Sequence, residues 1–174
     1  MNRRRRRVEE KKEFEETILQ INRVTKVVKG GKILKFRVTM VIGDGKGRVG
    51  IGIGKAREIP AAIKKGIADA KRNLVNVPLK NNTIPMRITV KYGAGRVFLA
   101  PAVKGTGIVA GSVVRAIAEK AGIQDLLSKR LGTSNPLNVA NATMKAFEEM
   151  NTIINRKEMM KQNVVGGKNE VAGA

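Results

Sequence analysis

The sequence predicts an α+β protein made of two small domains. Two groups of strand patterns are each followed by helical patterns, and a short segment rich in turn-forming residues separates the groups. The chain has 174 residues, 42% of them apolar, which is enough to bury a core. It contains no His and no Cys, so disulfides, thiolate metal sites and His-based catalysis are excluded.

The net charge of +21 is concentrated in the middle of the chain. Residues 17–118 hold 20 Lys and Arg side chains against three acidic ones. Such a field favours a polyanion, and nucleic acid rather than a small acidic metabolite, because one small ligand could not use so many cations. The alternative is a solvated basic face that serves solubility.

The first domain begins with a predicted arm and hairpin. Five consecutive Arg at 3–7 are too repulsive to pack and predict a disordered arm, and residues 9–20 are predicted to form a short helix. Runs of β-branched residues at 21–28 and 33–42 flank Gly30-Gly31, which predicts a β-hairpin with a basic tip.

A third strand is predicted over residues 48–55, where apolar residues alternate with Gly50, Gly52 and Gly54. Glycine in a strand costs stability, so this pattern predicts that another backbone, from the protein or from a ligand, approaches the glycine face closely. Helical periodicity with Pro60 in the first turn predicts a helix over 58–74, and residues 76–83 are the candidate linker.

The second domain repeats the order of strands and helices. The predicted elements are strands at 86–92 and 96–103, a helix at 111–121 that ends at Gly122, a strand at 125–130 and a helix at 135–150. Residues after 156 show no periodic pattern of apolar side chains and are predicted to fray.

Glycine-rich motifs leave one enzymatic alternative open. Gly105-x-Gly107-x-x-Ala110 precedes a predicted helix, and Asp125 follows it, as in a dinucleotide-binding turn. A nucleotide-dependent enzyme built on this segment is therefore an alternative. The remaining residues offer no catalytic constellation, and no cofactor or metal site is predicted.

RNA recognition is predicted to depend on cations and backbone amides. The chain has only four Phe and one Tyr, too few for a stacking platform, and Phe36 and Phe98 are expected in the core. Phosphate and 2′-OH groups would be bound by Lys and Arg, helped by amides exposed at Gly45, Gly47, Gly30-Gly31 and the glycine face. This predicts a structured RNA that is recognised by shape.

Several motifs, in order from about residue 15 to 150, resemble the bacterial form of the fifth small-subunit ribosomal protein. They are Asn22-Arg23-Val24, Lys29-Gly30-Gly31, the segments 43–50 and 54–63, Arg96-Val97-Phe98, and the segments 105–111 and 133–139. The resemblance implies an N-terminal double-stranded-RNA-binding-like β-β-β-α domain over 15–77 and a C-terminal β-α-β-type two-layer sandwich over 83–155. Residues 1–14 would be a basic flexible arm and helix start, and residues 156–174 a basic flexible tail.

The resemblance also implies which residues bind. The implied rRNA-binding residues are Arg23, Lys26, Lys29, Gly30, Gly31, Lys32, Lys46, Gly47, Arg48, Lys55 and Arg57. The implied protein-contact residues are Gly105, Thr106, Gly107 and Arg115. The hairpin tip resembles the loop beside the spectinomycin site of small-subunit rRNA.

The implied function is a structural, non-enzymatic constituent of the small ribosomal subunit in the cytoplasm, with no membrane span. The implied partners are small-subunit rRNA, the fourth and eighth small-subunit proteins, and mRNA near the path by which it enters; a role in translational accuracy is implied as well. A free-standing chaperone of double-stranded RNA, which the same fold permits, is a further alternative.

Overall fold

The computed structural model describes residues 13–170, with side chains through residue 160. The N-terminal elements are β1 (Glu15–Val28), β2 (Gly31–Gly43), β3 (Arg48–Ala56), α1 (Ile59–Arg72) and β4 (Leu74–Asn76). The four strands form one antiparallel sheet in the order β1-β2-β3-β4, and α1 packs on one of its faces. The strand, strand, strand, helix order predicted for this half is confirmed.

The β1–β2 hairpin is longer than predicted and projects beyond the rest of the sheet. Its pairing runs from Glu15–Gly43 to Val28–Gly31, whereas β3 pairs with β2 only as far as Phe36. The helix predicted over 9–20 is wrong from Glu15 onward, because these residues pair with the end of β2 and the pairing overrides their weak helical pattern. Residues 1–12, including the five-Arg arm, lie outside the described residues.

The C-terminal half is a mixed sheet with two helices on one face. Its elements are β5 (Ile88–Tyr92), β6 (Gly95–Pro101), β7 (Ile108–Val109), α2 (Ser112–Ala121), β8 (Leu126–Arg130) and α3 (Pro136–Glu170). The strand order is β5-β6-β8-β7; β7 runs parallel to β8, with α2 as the connection between them, and the other pairs are antiparallel.

Two features of this half differ from the predictions. The short strand β7 was not predicted, and α3 continues past the predicted end at Met150 to Glu170. Flexibility of residues 156–174 stays a prediction. In the described part of the chain, no helix has the length and apolar character needed to cross a membrane.

One apolar core joins the two halves. Val41, Val49 and Ile51 of the first sheet belong to the same buried cluster as Leu99 and Phe147 of the second half. A smaller cluster fills the space between the first sheet and α1. The first sheet is therefore covered on both faces near its β2–β3 turn, by α1 on one side and by the second half on the other.

The aromatic residues expected in the core are not fully buried. Phe36 and Phe98 are each half-buried and belong to neither cluster, so that expectation is wrong. Phe147 of α3 is fully buried instead. Phe98 lies on the face of the second sheet that the helices do not cover.

Candidate nucleic-acid interface

The glycine face of β3 is packed against the protein's own helix. A Cβ at Gly50, Gly52 or Gly54 would overlap backbone atoms of α1, including the carbonyl oxygens of Ala62 and Gly66. The close approach of a backbone is confirmed, and that backbone belongs to α1. The expectation that this face presents amides to RNA is wrong, because α1 fills the space.

The β2–β3 turn also contacts the protein rather than solvent. The Gly45 amide donates to the carbonyl oxygen of Lys120 at 3.1 Å, and the Gly47 amide donates to that of Ala121 at 2.9 Å. These carbonyls belong to the last turn of α2, which has no intrahelical partners for them. The amides of Gly45 and Gly47 are therefore not available to RNA, and the expectation that they bind it is wrong.

Asp44 holds this turn together. Its Oδ1 accepts from the amides of Lys46 and Arg48 at 2.8 and 3.0 Å, and its Oδ2 accepts from Arg48 Nε at 2.7 Å. Burial acts to raise the pKa of Asp44, but the hydrogen bonds from Arg48 and the two amides outweigh it and keep the pKa below its ordinary value. The same hydrogen bond raises the pKa of Arg48.

Arg48 has partners inside the protein. Besides Asp44, its guanidinium lies 5.4 Å from the centre of the Phe14 ring and 3.9 Å from Glu13 Oε1. Its side chain is still 48% exposed. Arg48 therefore mainly stabilises the turn, and only the exposed part of its side chain is open to a phosphate.

Cations collect on one face of the projecting hairpin. The register places Arg37 directly opposite both Asn22 and Lys55, and one step toward the tip Lys35 lies opposite Val24. Residues paired across an antiparallel sheet share a face, and the face alternates along each strand. The hairpin face is defined here by Asn22, Val24, Lys26, Lys35, Arg37 and Lys55.

No carboxylate of the described residues lies in the hairpin face, and like charges stand directly opposite at Arg37 and Lys55. Asn22, with its amide oxygen turned toward Arg37, accepts from Arg37 Nη2 at 2.8 Å. A shallow pocket of about 230 Å³ lies among Val24, Lys26 and Lys35. The arrangement suits a ligand that brings several negative charges at once.

The structure divides the predicted rRNA-binding residues into four groups. Lys26 and Lys55 lie on the hairpin face, whereas Arg23 and Lys32 lie on the opposite side of the same strands. The tip residues 29–31 and Arg57 lie at the same end of the sheet and are exposed. Lys46, Gly47 and Arg48 lie at the other end, and Gly47 is buried.

Sequence reasoning missed Lys35 and Arg37 as members of this surface. Both were recognised as cations in the sequence, but the face of the sheet on which each side chain lies depends on the hairpin register. The signal was present, because a two-residue turn at Lys29-Gly30 fixes the pairing and, with it, which residues share a face.

The predicted protein-contact residues do come together. Gly105, Thr106 and Gly107 form the loop before β7, and Arg115 of α2 donates from Nη2 to the carbonyl oxygen of Ile108 at 3.1 Å. Gly105 and Gly107 adopt φ of 93° and 73°, which favours glycine. The loop and Arg115 therefore make one continuous surface.

The side chain of Asp125 holds this loop in place through hydrogen bonds. Its carboxylate is buried, with the residue 4% exposed, and Oδ1 accepts from the amides of Gly105 at 3.0 Å and Gly107 at 2.8 Å. A dinucleotide-binding turn would offer such amides to pyrophosphate and its acid to a ribose. Here the acid and the amides bind each other, which removes the basis of the enzymatic alternative.

A turn between the two halves is hydrogen-bonded to the backbone of Gln124 and Asp125. Asn81 and Asn82 have positive φ, and the carbonyl oxygen of Asn82 accepts from the amides of Gln124 and Asp125 at 2.9 and 3.3 Å. Thr83 Oγ1 donates to the carbonyl oxygen of Asp125 at 2.6 Å. The predicted linker is thus hydrogen-bonded to the segment that fixes the protein-contact loop.

Comparison with protein families gives two matches along the chain. Residues 14–78 match the model for "Ribosomal protein S5, N-terminal domain", and residues 90–162 match that for "Ribosomal protein S5, C-terminal domain". Together the two matches cover most of the chain.

Curated proteins named "Small ribosomal subunit protein uS5" are similar over most of their length. One from Chloroflexus aurantiacus is 51% identical over 156 residues, covering 88% of each chain. One from Thermotoga neapolitana is 55% identical over 138 residues, covering 79% of this chain and 78% of the relative. One from Dehalococcoides mccartyi is 49% identical over 159 residues, covering 89% and 92%.

Proposed function

The chain belongs to the ribosomal protein S5 family, and on this basis we propose that RNA of the small ribosomal subunit binds to the hairpin face of its first sheet. It is a structural constituent of that cytoplasmic subunit and not an enzyme. RNA binding is general for the family. The proposal concerns which residues bind the RNA.

The observation that supports the proposal is the unneutralised charge of the hairpin face. Arg37 and Lys55 stand opposite each other with no carboxylate of residues 13–160 paired with either, and Lys35 and Lys26 continue the row toward the tip. Like charges in cross-strand pairs destabilise a sheet. Binding of a polyanion would neutralise these charges and remove the repulsion. RNA phosphates meet that requirement.

The projecting tip adds reach to this surface. Within residues 13–170 no third strand lies beside residues 24–28 and 31–35, so the tip can enter a gap between RNA segments. A Cβ at Gly30 or Gly31 would meet no atom of the protein within 4 Å. We place the tip beside the spectinomycin site, as the family resemblance implies. Lys29, Lys32 and Arg23 would bind RNA that lies on the other side of the hairpin. Arg57 and the exposed edges of Lys46 and Arg48 supply outer phosphate contacts.

The loop with Gly105, Thr106, Gly107 and Arg115 is proposed to contact the fourth small-subunit protein, and the second domain the eighth. The loop's support by Asp125 gives that contact a fixed geometry. Through this contact the protein would contribute to translational accuracy. As a separate role, it would line the path by which mRNA enters.

Equilibrium binding to small-subunit rRNA tests the hairpin face. The full chain with Lys26→Gln, Lys35→Gln and Lys55→Gln should fold as the parent does, because all three side chains are exposed. The slope of log affinity against log salt should fall in magnitude by about 2 to 3, since each lost phosphate contact removes about 0.9. Arg37 is left in place because it is hydrogen-bonded to Asn22.

The matched control removes three charges from α3 with Lys145→Gln, Arg156→Gln and Lys157→Gln. This variant has the same net charge and should keep a slope close to that of the parent. Equal slopes for the two triple variants would mean that RNA does not use the hairpin face.

A further inference from the structure

We propose that the uncovered face of the second sheet is a separate RNA-binding surface. Lys91, Arg96 and Lys129 would bind consecutive phosphates, and Phe98 would contact the apolar side of a ribose or base. This inference goes beyond the proposed function, which places RNA on the first domain.

The second sheet has one packed face and one open face. Val90, Val97 and Leu99 point inward and are buried in the cluster that contains residues of α2 and α3. Their neighbours in sequence, Lys91 and Arg96, point outward and are exposed. No element of the described part of the chain packs on this outward face, which is here called the open face.

Register brings the cations and the aromatic ring together. Lys91 pairs with Arg96 across β5 and β6, and Phe98 stands between Thr89 on one side and Lys129 on the other. Arg96 and Phe98 are two residues apart on one strand, so they share the open face. Three cations therefore lie on the same sheet face as one half-buried aromatic side chain.

No acidic side chain in these segments offsets the charge. Residues 70–118 contain no Asp or Glu, and neither do residues 126–147, so every strand of the second sheet is free of acid. Two cations directly opposite each other destabilise an antiparallel pair. A ligand with several closely spaced negative charges removes that repulsion, and RNA has this property along its whole backbone.

Phe98 favours nucleic acid as the ligand. An aromatic ring on an uncovered sheet face beside Arg and Lys is a surface on which a base or ribose can lie, with phosphates held by the flanking cations. Exposed aliphatic side chains, Val109 and Leu127, lie at the β7–β8 end of the face, away from Lys91. The cationic and aromatic part is therefore the part assigned to RNA.

Binding to small-subunit rRNA by the full chain with Lys91→Gln, Arg96→Gln and Lys129→Gln is the first test. The salt slope should fall in magnitude by about 2 to 3 relative to the α3 control triple Lys145→Gln, Arg156→Gln and Lys157→Gln, which has the same net charge. A slope equal to that of the control overturns the inference. The hairpin triple, measured in parallel, tests the proposed function independently, so failure of one is distinguishable from failure of the other.

A cross-linking measurement identifies what lies on the open face. The chain has no Cys, so Thr89→Cys creates a single attachment point for a short photoactivated cross-linker on the open face. In assembled small subunits, attachment to rRNA is expected. Attachment to a neighbouring protein and not to RNA would overturn the inference and assign the open face to a protein partner.

Discussion

The amide of Gly107 donates a hydrogen bond of 2.8 Å to the buried carboxylate of Asp125, which lies 18 residues further along the chain. The same oxygen accepts from Gly105, so one side chain holds both ends of the Gly105–Gly107 turn. Asp125 is in turn bonded to the turn between the two halves through Asn82 and Thr83. The loop proposed as a protein contact is therefore part of a hydrogen-bonded unit and not a free surface loop.

Replacing Asp125 should release that loop. Asp125→Ala leaves two amides without an acceptor, which costs about 1 to 3 kcal/mol of folding free energy. Hydrogen exchange should accelerate at the Gly105 and Gly107 amides more than at amides of the first sheet.

Asp69→Ala is the control, because Asp69 also accepts a hydrogen bond from a backbone amide, that of Ile53, at 2.9 Å. It should accelerate exchange at Ile53 and leave the loop unchanged. Unchanged exchange at Gly107 in Asp125→Ala would show that Asp125 does not fix the loop.

A methyl group on the glycine face of β3 should displace α1. In Gly52→Ala the new Cβ would overlap the carbonyl oxygen of Gly66, and the cost should be about 3 kcal/mol, as for overpacked cores. Gly30→Ala, where nothing lies within 4 Å, should change stability by a few tenths of a kcal/mol. Urea unfolding of the two variants measures the difference, and similar costs would contradict the packing described.

The contact between the β2–β3 turn and α2 can be separated from backbone strain. Gly122 and Gly107 have similar positive φ, 83° and 73°, but only at Gly122 would a Cβ overlap an atom, the carbonyl oxygen of Gly45. Alanine at either position incurs the strain of a left-handed conformation, about 1 kcal/mol. Gly122→Ala should be destabilised by about 1 to 3 kcal/mol more than Gly107→Ala in thermal or urea unfolding. Equal losses would show that this contact contributes nothing.

Stability should depend on pH through Asp44. Its pKa in the folded chain lies below the ordinary 3.8, so the folded state favours the ionised form. This contribution is complete above the unfolded pKa and is lost as the pH falls through the lower, folded value. Unfolding free energies measured from pH 6 to pH 3 should therefore fall more steeply for the parent than for Asp44→Asn. Parallel curves would contradict the assignment.

Local pattern was sufficient to predict most of the fold. The spacing of apolar residues and the positions of turn residues predict the hairpin, the third strand, α1 and the β-α-β order of the second half. The first six residues of β1 were misassigned because their strand form depends on pairing with the distant end of β2. The extension of α3 to Glu170 was missed because its last turns have no apolar period.

The candidate site was predicted less completely, because it depends on which side of a sheet each residue faces. Gly47 and the glycine face of β3 were assigned to RNA, but Gly47 bonds to the distant helix α2 and the glycine face packs against α1. The glycine spacing indicates that a backbone approaches closely, but it does not indicate which backbone. Lys35 and Arg37 were recognised as cations and not as members of the surface, since their direction follows from register. Composition predicted the ligand class, and only tertiary structure shows which cations share a face.

Sedimentation of assembled small subunits tests most directly that RNA is bound on the hairpin face. The full chain is expressed as the parent, as Lys26→Gln, Lys35→Gln and Lys55→Gln together, or as the α3 control triple, and subunits are washed at high salt on a sucrose gradient. The parent and the α3 control should remain with the small subunit, and the hairpin triple should be depleted from it while remaining folded. Full retention of the hairpin triple through the same wash would contradict the account.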